Sequence, residues 1–246
     1  MAFRLDGSCV ATAGAELTQH YPEPGRVEHD ASEIWTKTLA VARTVIEKVG
    51  GAEKIAAIGI TNQRETIVFW DRETGEPLAP AIVWQDRRTA ATCRSLKEAG
   101  NEPMVQAKTG LLLDPYFSGS KIGWAMAHWD AVKTAGSRLA VGTVESWLIW
   151  KLTGGLHITD ATSASRTALM GLFGAPRSAL PEIVDCAGHF GETRLFGAPI
   201  PICGIAGDQQ AATIGQSCLE IGETKATFGT GAFVLSQAGP IPPTSR

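Results

Sequence analysis

Apolar and polar residues alternate along the chain in blocks that predict helices and buried strands. The clearest helix follows Asp30, because apolar residues recur at intervals of three or four from Ile34 to Val49, after which two glycines end the pattern. Asp30 and Glu33 have the spacing of a capping box at the start of this helix. Short apolar runs bounded by polar clusters predict strands instead, the first of them buried on both faces: residues 54–60, 67–70, 81–84 and 201–206.

The remaining blocks complete a mixed pattern of helices and strands. Helices are predicted over residues 121–132 and 144–152. Two short strands joined by a turn are predicted within residues 3–16, and two more within 222–235. Residues 109–120 are expected to form a loop, 159–166 a polar turn, and 177–197 a short helix with a connector. The pattern as a whole indicates an α/β protein.

One carboxylate, Asp208, lies where the last of the four predicted strands is expected to give way to a helix. Gly207 is expected to allow a tight turn there. In α/β sheets, ligands bind beyond the carboxyl ends of the strands, and the dipole of the following helix favours a negative charge at that position. An ionised aspartate in such a cleft can accept a proton from an alcohol. The alternative, which the residues alone leave open, is that Asp208 only caps the helix.

Polar and aromatic residues also follow two of the other predicted strands. Arg64 and Glu65 come after the first apolar run, and Trp84 ends the third, so these side chains are expected to converge with Asp208 at one edge of a sheet. Arginine donates hydrogen bonds and glutamate accepts them, so the pair can hold a polyol. The alternatives are a surface ion pair at Arg64 and Glu65 and a position in the core for Trp84.

Two loops carry further candidate chemistry. Tyr116 and Phe117 lie in the loop 109–120, where aromatic side chains either pack the loop down or form a wall of a pocket. The Gly-Thr-Gly turn at residues 229–231 leaves backbone N–H groups and a hydroxyl pointing outward, which can cradle a phosphate. The same turn is equally typical of a plain β-hairpin.

Composition narrows the class of protein. The 246 residues suit one large domain or two modest ones, and 44% hydrophobic with 19% charged residues is typical of a globular protein with a sizeable core. A net charge of −3 without a basic block argues against nucleic acid as a partner. The five scattered cysteines indicate neither a zinc site nor a disulfide framework and favour a reducing cytoplasm. No apolar run reaches the length of a membrane span.

Eight segments, in order along the chain, resemble the FGGY family of carbohydrate kinases and, within it, the members that phosphorylate glycerol. The segments are YPEPGRVEHD from Tyr21, GITNQRET from Gly59, AIVWQDRRT from Ala81, TGLLLDPYFSGSK from Thr109, SWLIWKLTGG from Ser146, TDATSASRT from Thr159, GIAGDQQAA from Gly204 and FGTGAF from Phe228. The resemblance implies an actin-like, ribonuclease H-like ATPase fold whose two domains close on glycerol and ATP. It also implies transfer of the γ-phosphoryl group of ATP to glycerol with Mg²⁺, by an enzyme whose full-length forms are homo-oligomers.

The resemblance further implies roles for individual residues. Asp208 falls on the family's general base and is a candidate ligand of Mg²⁺ through a bridging water. The positions that hold glycerol in the family fall on Arg64, Glu65, Trp84, Tyr116, Asp208, Gln209 and Phe233. The positions that contact the nucleotide phosphates fall on Gly229, Thr230 and Gly231.

The resemblance divides the chain unequally. Residues 1–217 correspond to the family's N-terminal domain, nearly complete but without its first strand and phosphate-holding turn, and residues 218–246 to the beginning of the C-terminal domain. The chain alone is therefore expected to be inactive. Two alternatives stay open: a sister kinase of the family that acts on another polyol or sugar, and a non-catalytic remnant that binds polyol without converting it.

Overall fold

A computed structural model of the chain describes residues 1–165, 170–228 and 231–240. Strands and helices alternate along these residues, so the mixed α/β pattern is confirmed. The strands are β1 (Ala2–Phe3), β2 (Cys9–Ala11), β3 (Glu28–His29), β4 (Ile58–Asn62), β5 (Ile67–Asp71), β6 (Ala81–Ile82), β7 (Leu139–Thr143), β8 (Ile158–Asp160), β9 (Glu182–Val184), β10 (Ala187–Thr193), β11 (Ile200–Gly207), β12 (Thr224–Phe228) and β13 (Ala232–Ser236). The α-helices are α1 (Ala31–Lys48), α2 (Ala90–Glu98), α3 (Glu102–Thr109), α4 (Ser118–His128), α5 (Asp130–Thr134), α6 (Val144–Thr153), α7 (Ala161–Ala164) and α8 (Asp208–Gly215).

Two sheets organise the fold. The larger has the strand order β3-β6-β5-β7 and is antiparallel throughout. The second has the order β10-β11-β4, in which β11 runs parallel to β4 and antiparallel to β10. Three two-stranded pairs add to them: β1-β2, β8-β9 and β12-β13.

Strand β5 forms the centre of the core because both of its faces are buried. Ile67 and Phe69 pack in one cluster with α4, α5 and β7, while Val68 and Trp70 pack in another with α1 and α6. All four side chains are fully buried. Successive side chains of a strand point to opposite faces, so this one strand supplies both clusters. Burying each such side chain stabilises the fold by about 1.5–3 kcal/mol.

Helix α6 joins the two sheets. It packs on β5 through Trp147, and its Ile149 packs with Ile158 of β8 and Ile205 of β11 in a third cluster. The helix that the sequence predicts over residues 144–152 is confirmed. Gly154 follows it with φ of 76°, a left-handed conformation that glycine adopts at a helix end without a steric penalty.

The predicted helix after Asp30 is confirmed as α1, but its capping differs from the expected box. The side chain of Asp30 accepts a hydrogen bond from the backbone N–H of Ser32, as an N-cap residue does. The side chain of Glu33 does not complete the reciprocal half of the box. It accepts hydrogen bonds from Thr18 and pairs with Lys37, which ties α1 to the preceding segment of the chain.

Three expectations about irregular or buried segments are wrong. The first apolar run forms its strand later than expected, as β4, and this strand is only half buried because it lies at the edge of its sheet among the described residues. The polar turn over 159–166 is instead part of the buried strand β8 followed by α7, with Arg166 outside the described residues. The short helix expected at the start of 177–197 is confirmed as a 3₁₀-helix over Arg177–Ala179, but the connector after it contains β9 and β10.

The predicted helix over residues 121–132 is two helices. The first, α4, begins earlier, at Ser118, and ends before Trp129, whose extended backbone separates it from α5. None of the helices in the described ranges has both the length and the apolar character that crossing a lipid bilayer requires.

Candidate active site

Arg64 and Asp208 meet at the edge of the sheet where β4 and β11 end. These strands are parallel neighbours with Asn62 opposite Gly207, so the residues that follow them leave the sheet on the same side. The Nε atom of Arg64 lies 3.6 Å from Oδ1 of Asp208. The prediction that these distant parts of the sequence converge is therefore confirmed for Arg64 and Asp208.

The charged groups at this edge differ in burial. The side chain of Arg64 is 2% exposed, whereas that of Asp208 is 43% exposed. Glu65 is buried as well and has a left-handed backbone with φ of 63°. This conformation costs a non-glycine residue of order 1–3 kcal/mol and persists only where surrounding contacts hold it. The edge thus presents one solvent-accessible carboxylate beside a buried cation, which excludes the simple surface ion pair as an interpretation of Arg64.

Gly207 makes room for Arg64. Its backbone has φ of −59° and ψ of 150°, which other residues adopt as readily, so the expectation that a tight turn requires this glycine is wrong. A Cβ atom at position 207 would lie 2.3 Å from Cδ of Arg64 and 2.8 Å from its Cγ. The missing side chain therefore allows the guanidinium of Arg64 to reach Asp208 across the end of β11.

Asp208 is the first residue of α8 and does not cap this helix. Gly207 is the N-cap residue, and no side-chain hydrogen bond caps α8. The carboxylate accepts hydrogen bonds from Gln209 instead, with the backbone N 2.8 Å from Oδ1 and Nε2 3.2 Å from Oδ2. The capping alternative for Asp208 is therefore wrong. The N-terminus of α8 places partial positive charge beside the carboxylate.

A buried lysine fixes the orientation of Gln209. The Nζ atom of Lys225, on β12, donates hydrogen bonds to Oε1 of Gln209 at 2.5 Å and to Oγ1 of Thr227 at 2.8 Å. Since the lysine can only donate, it determines which end of the Gln209 amide faces it. The opposite end, Nε2, faces Asp208.

Trp84 contacts two aromatic side chains from separate parts of the chain, Tyr116 and Phe233. The ring centroids of Trp84 and Tyr116 are 5.9 Å apart, and those of Trp84 and Phe233 are 6.3 Å apart, both pairs edge to face. Trp84 follows β6 in the larger sheet, so it reaches the site from a different sheet than Asp208 does. The expectation of a single converging sheet edge is wrong for Trp84.

Lys121 connects Trp84 and Tyr116 with Glu65. Its Nζ atom donates hydrogen bonds to three backbone carbonyls, those of Glu65 at 3.0 Å, Trp84 at 3.4 Å and Tyr116 at 2.7 Å. The lysine lies in the first turn of α4 and is completely buried. Three segments that carry candidate site residues therefore meet around one ammonium group. A further hydrogen bond, from the Trp84 backbone N to Oγ1 of Thr66 at 3.2 Å, connects the segments of Glu65 and Trp84 directly.

The segment after Trp84 is anchored by the buried cation of Arg88. The guanidinium of Arg88 donates to both carboxylate oxygens of Asp86 and to Glu28 at 2.7 Å, and it lies 4.6 Å from the ring centroid of Trp124. Burial opposes the charged form, but the hydrogen bonds to Asp86 and Glu28 raise the pKa of Arg88 above its ordinary value. These hydrogen bonds hold the chain in place directly after Trp84.

Thr162 forms a hydrogen bond with the end of β11, and Asp160 in turn holds Thr162 in place. The hydroxyl of Thr162 donates to the carboxylate of Asp160 and accepts a hydrogen bond from the backbone N of Gly207 at 2.8 Å. Asp160 also accepts from the backbone N of Thr162 at 2.8 Å at the start of α7. The polar segment that the sequence assigns to a mere turn therefore fixes the backbone next to Asp208.

The remaining candidates concern the nucleotide and the metal ion. Gly229 and Thr230 lie outside the described residues, and Gly231 is the first described residue after them. The strands that flank the Gly-Thr-Gly turn pair as the predicted hairpin, β12 with β13. Within residues 1–165, 170–228 and 231–240, no three histidine, cysteine or acidic side chains come together as metal ligands.

The sequence singles out candidate site residues but not the buried charged residues that contact them. Lys121, Lys225 and Asp160 are charged and nearly or fully buried, yet nothing in the local pattern predicts their burial. The one available signal is at Lys121, which is followed by an apolar helical stretch. A lysine at the start of such a stretch is more often on the surface, because a buried charge requires partners that only the fold supplies.

The sequences of known proteins match this chain over its whole length. The profile of the N-terminal domain of the FGGY family of carbohydrate kinases matches residues 1–215. A glycerol kinase of Methylobacterium nodulans is 53% identical over 267 residues, which cover 100% of this chain and 53% of that protein. A glycerol kinase of Gluconobacter oxydans is 53% identical over 259 residues, which cover 98% of this chain and 51% of that protein. The chain thus spans about half the length of the curated relatives that it matches.

Solved structures with the same arrangement of elements also exist. Plasmodium falciparum glycerol kinase with ADP superposes with a TM-score of 0.83 at 36% identity, over 90% of this chain and 48% of that one. A xylulose kinase from Rhodospirillum rubrum superposes with a TM-score of 0.84 at 22% identity, over 97% of this chain and 53% of that one, and at this identity it informs on the fold alone. The expected actin-like, ribonuclease H-like ATPase fold is confirmed.

Proposed function

The chain belongs to the FGGY family of carbohydrate kinases, and from this membership we propose that it supplies the glycerol-binding site and the general base of an ATP-dependent glycerol kinase. The observation that carries the proposal is the approach of Arg64 Nε to within 3.6 Å of Asp208 Oδ1, where Glu65, the residue after Arg64, is joined through Lys121 to Trp84 and Tyr116. The choice of glycerol is supported by relatives of 53% identity that are named glycerol kinase.

The site matches the chemistry of a small polyol. Glycerol has a short hydrocarbon backbone and three hydroxyl groups, each of which donates and accepts hydrogen bonds. Trp84 and Phe233 would cover the carbon atoms, while Arg64 donates to hydroxyl oxygens and Glu65 accepts from hydroxyl groups. Tyr116 adds a phenol group that can do both. A polyol larger than glycerol would have to fit between these same aromatic rings and the edge of the sheet.

Asp208 is suited to act as the general base. Its carboxylate is accessible to solvent and is oriented by Gln209, whose own amide is fixed by Lys225. It would accept the proton of the glycerol hydroxyl that attacks the γ-phosphoryl group of ATP, giving glycerol 3-phosphate and ADP. The transition state of phosphoryl transfer is loose, so positioning the nucleophile contributes most of what the protein adds at this end of the reaction.

The residues at the site fit a Mg²⁺ ion that is bound together with the nucleotide. This ion usually keeps several waters and is held by one or two carboxylates plus substrate phosphates. Asp208 supplies one exposed carboxylate, which would hold the ion through water. Mg²⁺ neutralises negative charge on the phosphates when it is bound. Gly229, Thr230 and Gly231 are proposed to contact the nucleotide phosphates.

We further propose a domain boundary after residue 217. The family match ends at residue 215, at the end of α8, and the hairpin β12-β13 would begin the second domain.

A cytoplasmic location is supported by the five cysteines, all of which are free thiols.

A hybrid enzyme tests the proposed function. Residues 1–217 of this chain replace the matching part of the Methylobacterium nodulans relative, so that the hybrid keeps every segment of that relative on both sides of the match, and phosphorylation of glycerol, erythritol and xylulose is compared. We expect ATP- and glycerol-dependent formation of ADP, with glycerol preferred over the other two acceptors. The 246-residue chain is titrated with glycerol in parallel by calorimetry. Preference for another acceptor, or no response to any of them in both experiments, would overturn the proposal.

Gly207→Ala is expected to weaken glycerol binding while the protein stays folded. The new Cβ atom would displace the buried side chain of Arg64, and a loss of its charged hydrogen bonds corresponds to roughly a tenfold or greater fall in affinity. Overpacking costs about 1–3 kcal/mol of stability, which thermal unfolding measures. Gly59→Ala on the paired strand β4 is the matched control, because nothing lies within 4 Å of a Cβ atom there. Equal glycerol affinity of the two variants would contradict the role given to Gly207.

A further inference from the structure

Lys121 holds together three segments of the candidate site that are distant in sequence. Its ammonium donates to the carbonyl oxygens of Glu65, Trp84 and Tyr116 at 2.7–3.4 Å. Each of these residues is also one of the proposed glycerol contacts. An ammonium group has three N–H donors, so these three carbonyls match its full donor capacity.

The contact with Glu65 has a specific consequence for its conformation. Glu65 has φ of 63°, and its carbonyl oxygen is 3.0 Å from Nζ of Lys121. The left-handed conformation needs a compensating contact, and a hydrogen bond from a charged donor is among the stronger ones available to a backbone carbonyl. The direction in which the carboxylate of Glu65 points depends on this backbone conformation. Lys121 therefore affects the direction of the Glu65 carboxylate through the backbone of Glu65.

The surroundings of Lys121 are mixed in charge. Burial lowers the pKa of Lys121 to about 7, so the ammonium form with its three donors predominates below that pH. The negative charges of Glu65, Asp86 and Asp114 raise this pKa, and the positive charge of Arg88 lowers it. Asp114 lies in the loop before α4, and its Oδ1 accepts a hydrogen bond from the backbone N of Tyr116 at 2.9 Å. A buried lysine could serve stability alone, but all three of its carbonyl partners belong to site residues, which a purely structural lysine does not require.

We propose that Lys121 is a positioning residue that sets the spacing of the polyol-binding residues Glu65, Trp84 and Tyr116 by holding their carbonyl groups. This inference rests on the proposed function for the identity of the ligand, glycerol. Removal of the ammonium leaves three carbonyls without their donor, so the three segments separate and the side chains that they carry lose their spacing. Glycerol binding is then lost more strongly than the stability of the fold.

The test compares Lys121→Met with Ile122→Ala in the 246-residue chain. Methionine keeps the length of the side chain and removes every donor, whereas Ile122 is the next residue of α4, is fully buried in the core cluster, and lies outside the site. Thermal unfolding measures the loss of stability of each variant. Calorimetric titration measures glycerol affinity, and hydrogen exchange measures the protection of residues 63–66, 84–87 and 114–118 without any ligand.

We expect Lys121→Met to bind glycerol about tenfold or more weakly, by the loss of charged hydrogen bonds, and to exchange faster in all three segments. Ile122→Ala should lose stability without either change. Lys121→Gln, which retains two N–H donors, should lie between the wild type and Lys121→Met, and it decides the question if the methionine variant does not fold. Unchanged protection of the three segments, or an equal loss of affinity in Ile122→Ala, would overturn the inference.

The two proposals fail in different ways. If the wild-type chain binds no glycerol and the hybrid enzyme phosphorylates none, the proposed function is wrong, but the exchange comparison without ligand still decides whether Lys121 holds the three segments. If the wild type binds glycerol and Lys121→Met binds it equally well, the proposed function stands and the role of Lys121 is wrong.

Discussion

Asp208→Asn in the hybrid enzyme is expected to lower the rate of glycerol phosphorylation by roughly 10²- to 10⁴-fold, the range typical for removal of a general base. Asparagine has nearly the same shape and keeps an oxygen that can accept the hydrogen bond from Gln209. It cannot take the proton of the attacking hydroxyl. The turnover number should therefore fall while the glycerol affinity of the 246-residue chain changes far less.

Asp130→Asn provides the matched control for this experiment. Asp130 begins α5 as Asp208 begins α8, so both substitutions remove a carboxylate from the first turn of a helix. Only the Asp208 side chain is 3.6 Å from Arg64. We expect the Asp130 variant to retain its turnover number. Undiminished turnover in Asp208→Asn would exclude Asp208 as the base, and an equal fall in both variants would indicate loss of the fold instead.

Arg64→Met is expected to reduce glycerol affinity by roughly 10- to 150-fold, which corresponds to the 1.5–3 kcal/mol of hydrogen bonds that involve a charged group. The side chain is 2% exposed, so water cannot replace the donors that the polyol loses. The variant also removes the cation beside Asp208. Calorimetric titration of the 246-residue chain measures the effect, with thermal unfolding as the check on folding.

Arg72→Met is the corresponding control for the arginine experiment. Arg72 is partly buried and donates to the carbonyl oxygens of Leu139 and Ser178, away from the candidate site. Its replacement should reduce stability and leave glycerol affinity unchanged. Glycerol binding by Arg64→Met at the wild-type affinity would show that the polyol does not contact this residue.

The two experiments separate binding from chemistry. Loss of affinity is expected for Arg64→Met, Gly207→Ala and Lys121→Met, whereas loss of turnover with binding retained is expected for Asp208→Asn. This division follows from the difference in burial, because the side chain of Arg64 is buried and that of Asp208 is open to solvent. A site that only binds polyol would show the first set of effects without the second.

Elements with a strong local period were predictable from the sequence. Helices α1 and α6 and strand β5 form where apolar residues in the sequence predict them, α1 with one apolar face and α6 and β5 buried almost throughout. The failures lie in polar segments. Asp160 is fully buried in a strand because the Thr162 hydroxyl and backbone N–H groups satisfy it, and such partners are not visible in a local window.

The approach of Arg64 to Asp208 was predictable from the sequence, whereas the contacts that hold these residues in place were not. The resemblance to the kinase family assigns Arg64, Trp84 and Asp208 to one site, and the structure brings Arg64 and Asp208 together. The reason for Gly207 was assigned incorrectly, because its closeness to Arg64 depends on how β4 and β11 pair. The role of Lys121 was missed for the same reason.

The sequence by itself determined the alternation of strands and helices, the α/β class, the likeness to a kinase family and the approach of Arg64 to Asp208. Periodicity and motifs involve residues that are close together along the chain, so both can be recognised in the sequence alone. Only the tertiary structure decided that Arg64 lies against a bare glycine, that Trp84 arrives from a second sheet, and that one buried ammonium holds three segments. These features depend on contacts between residues that lie tens to more than a hundred positions apart, which exist only once the sheets and helices have packed.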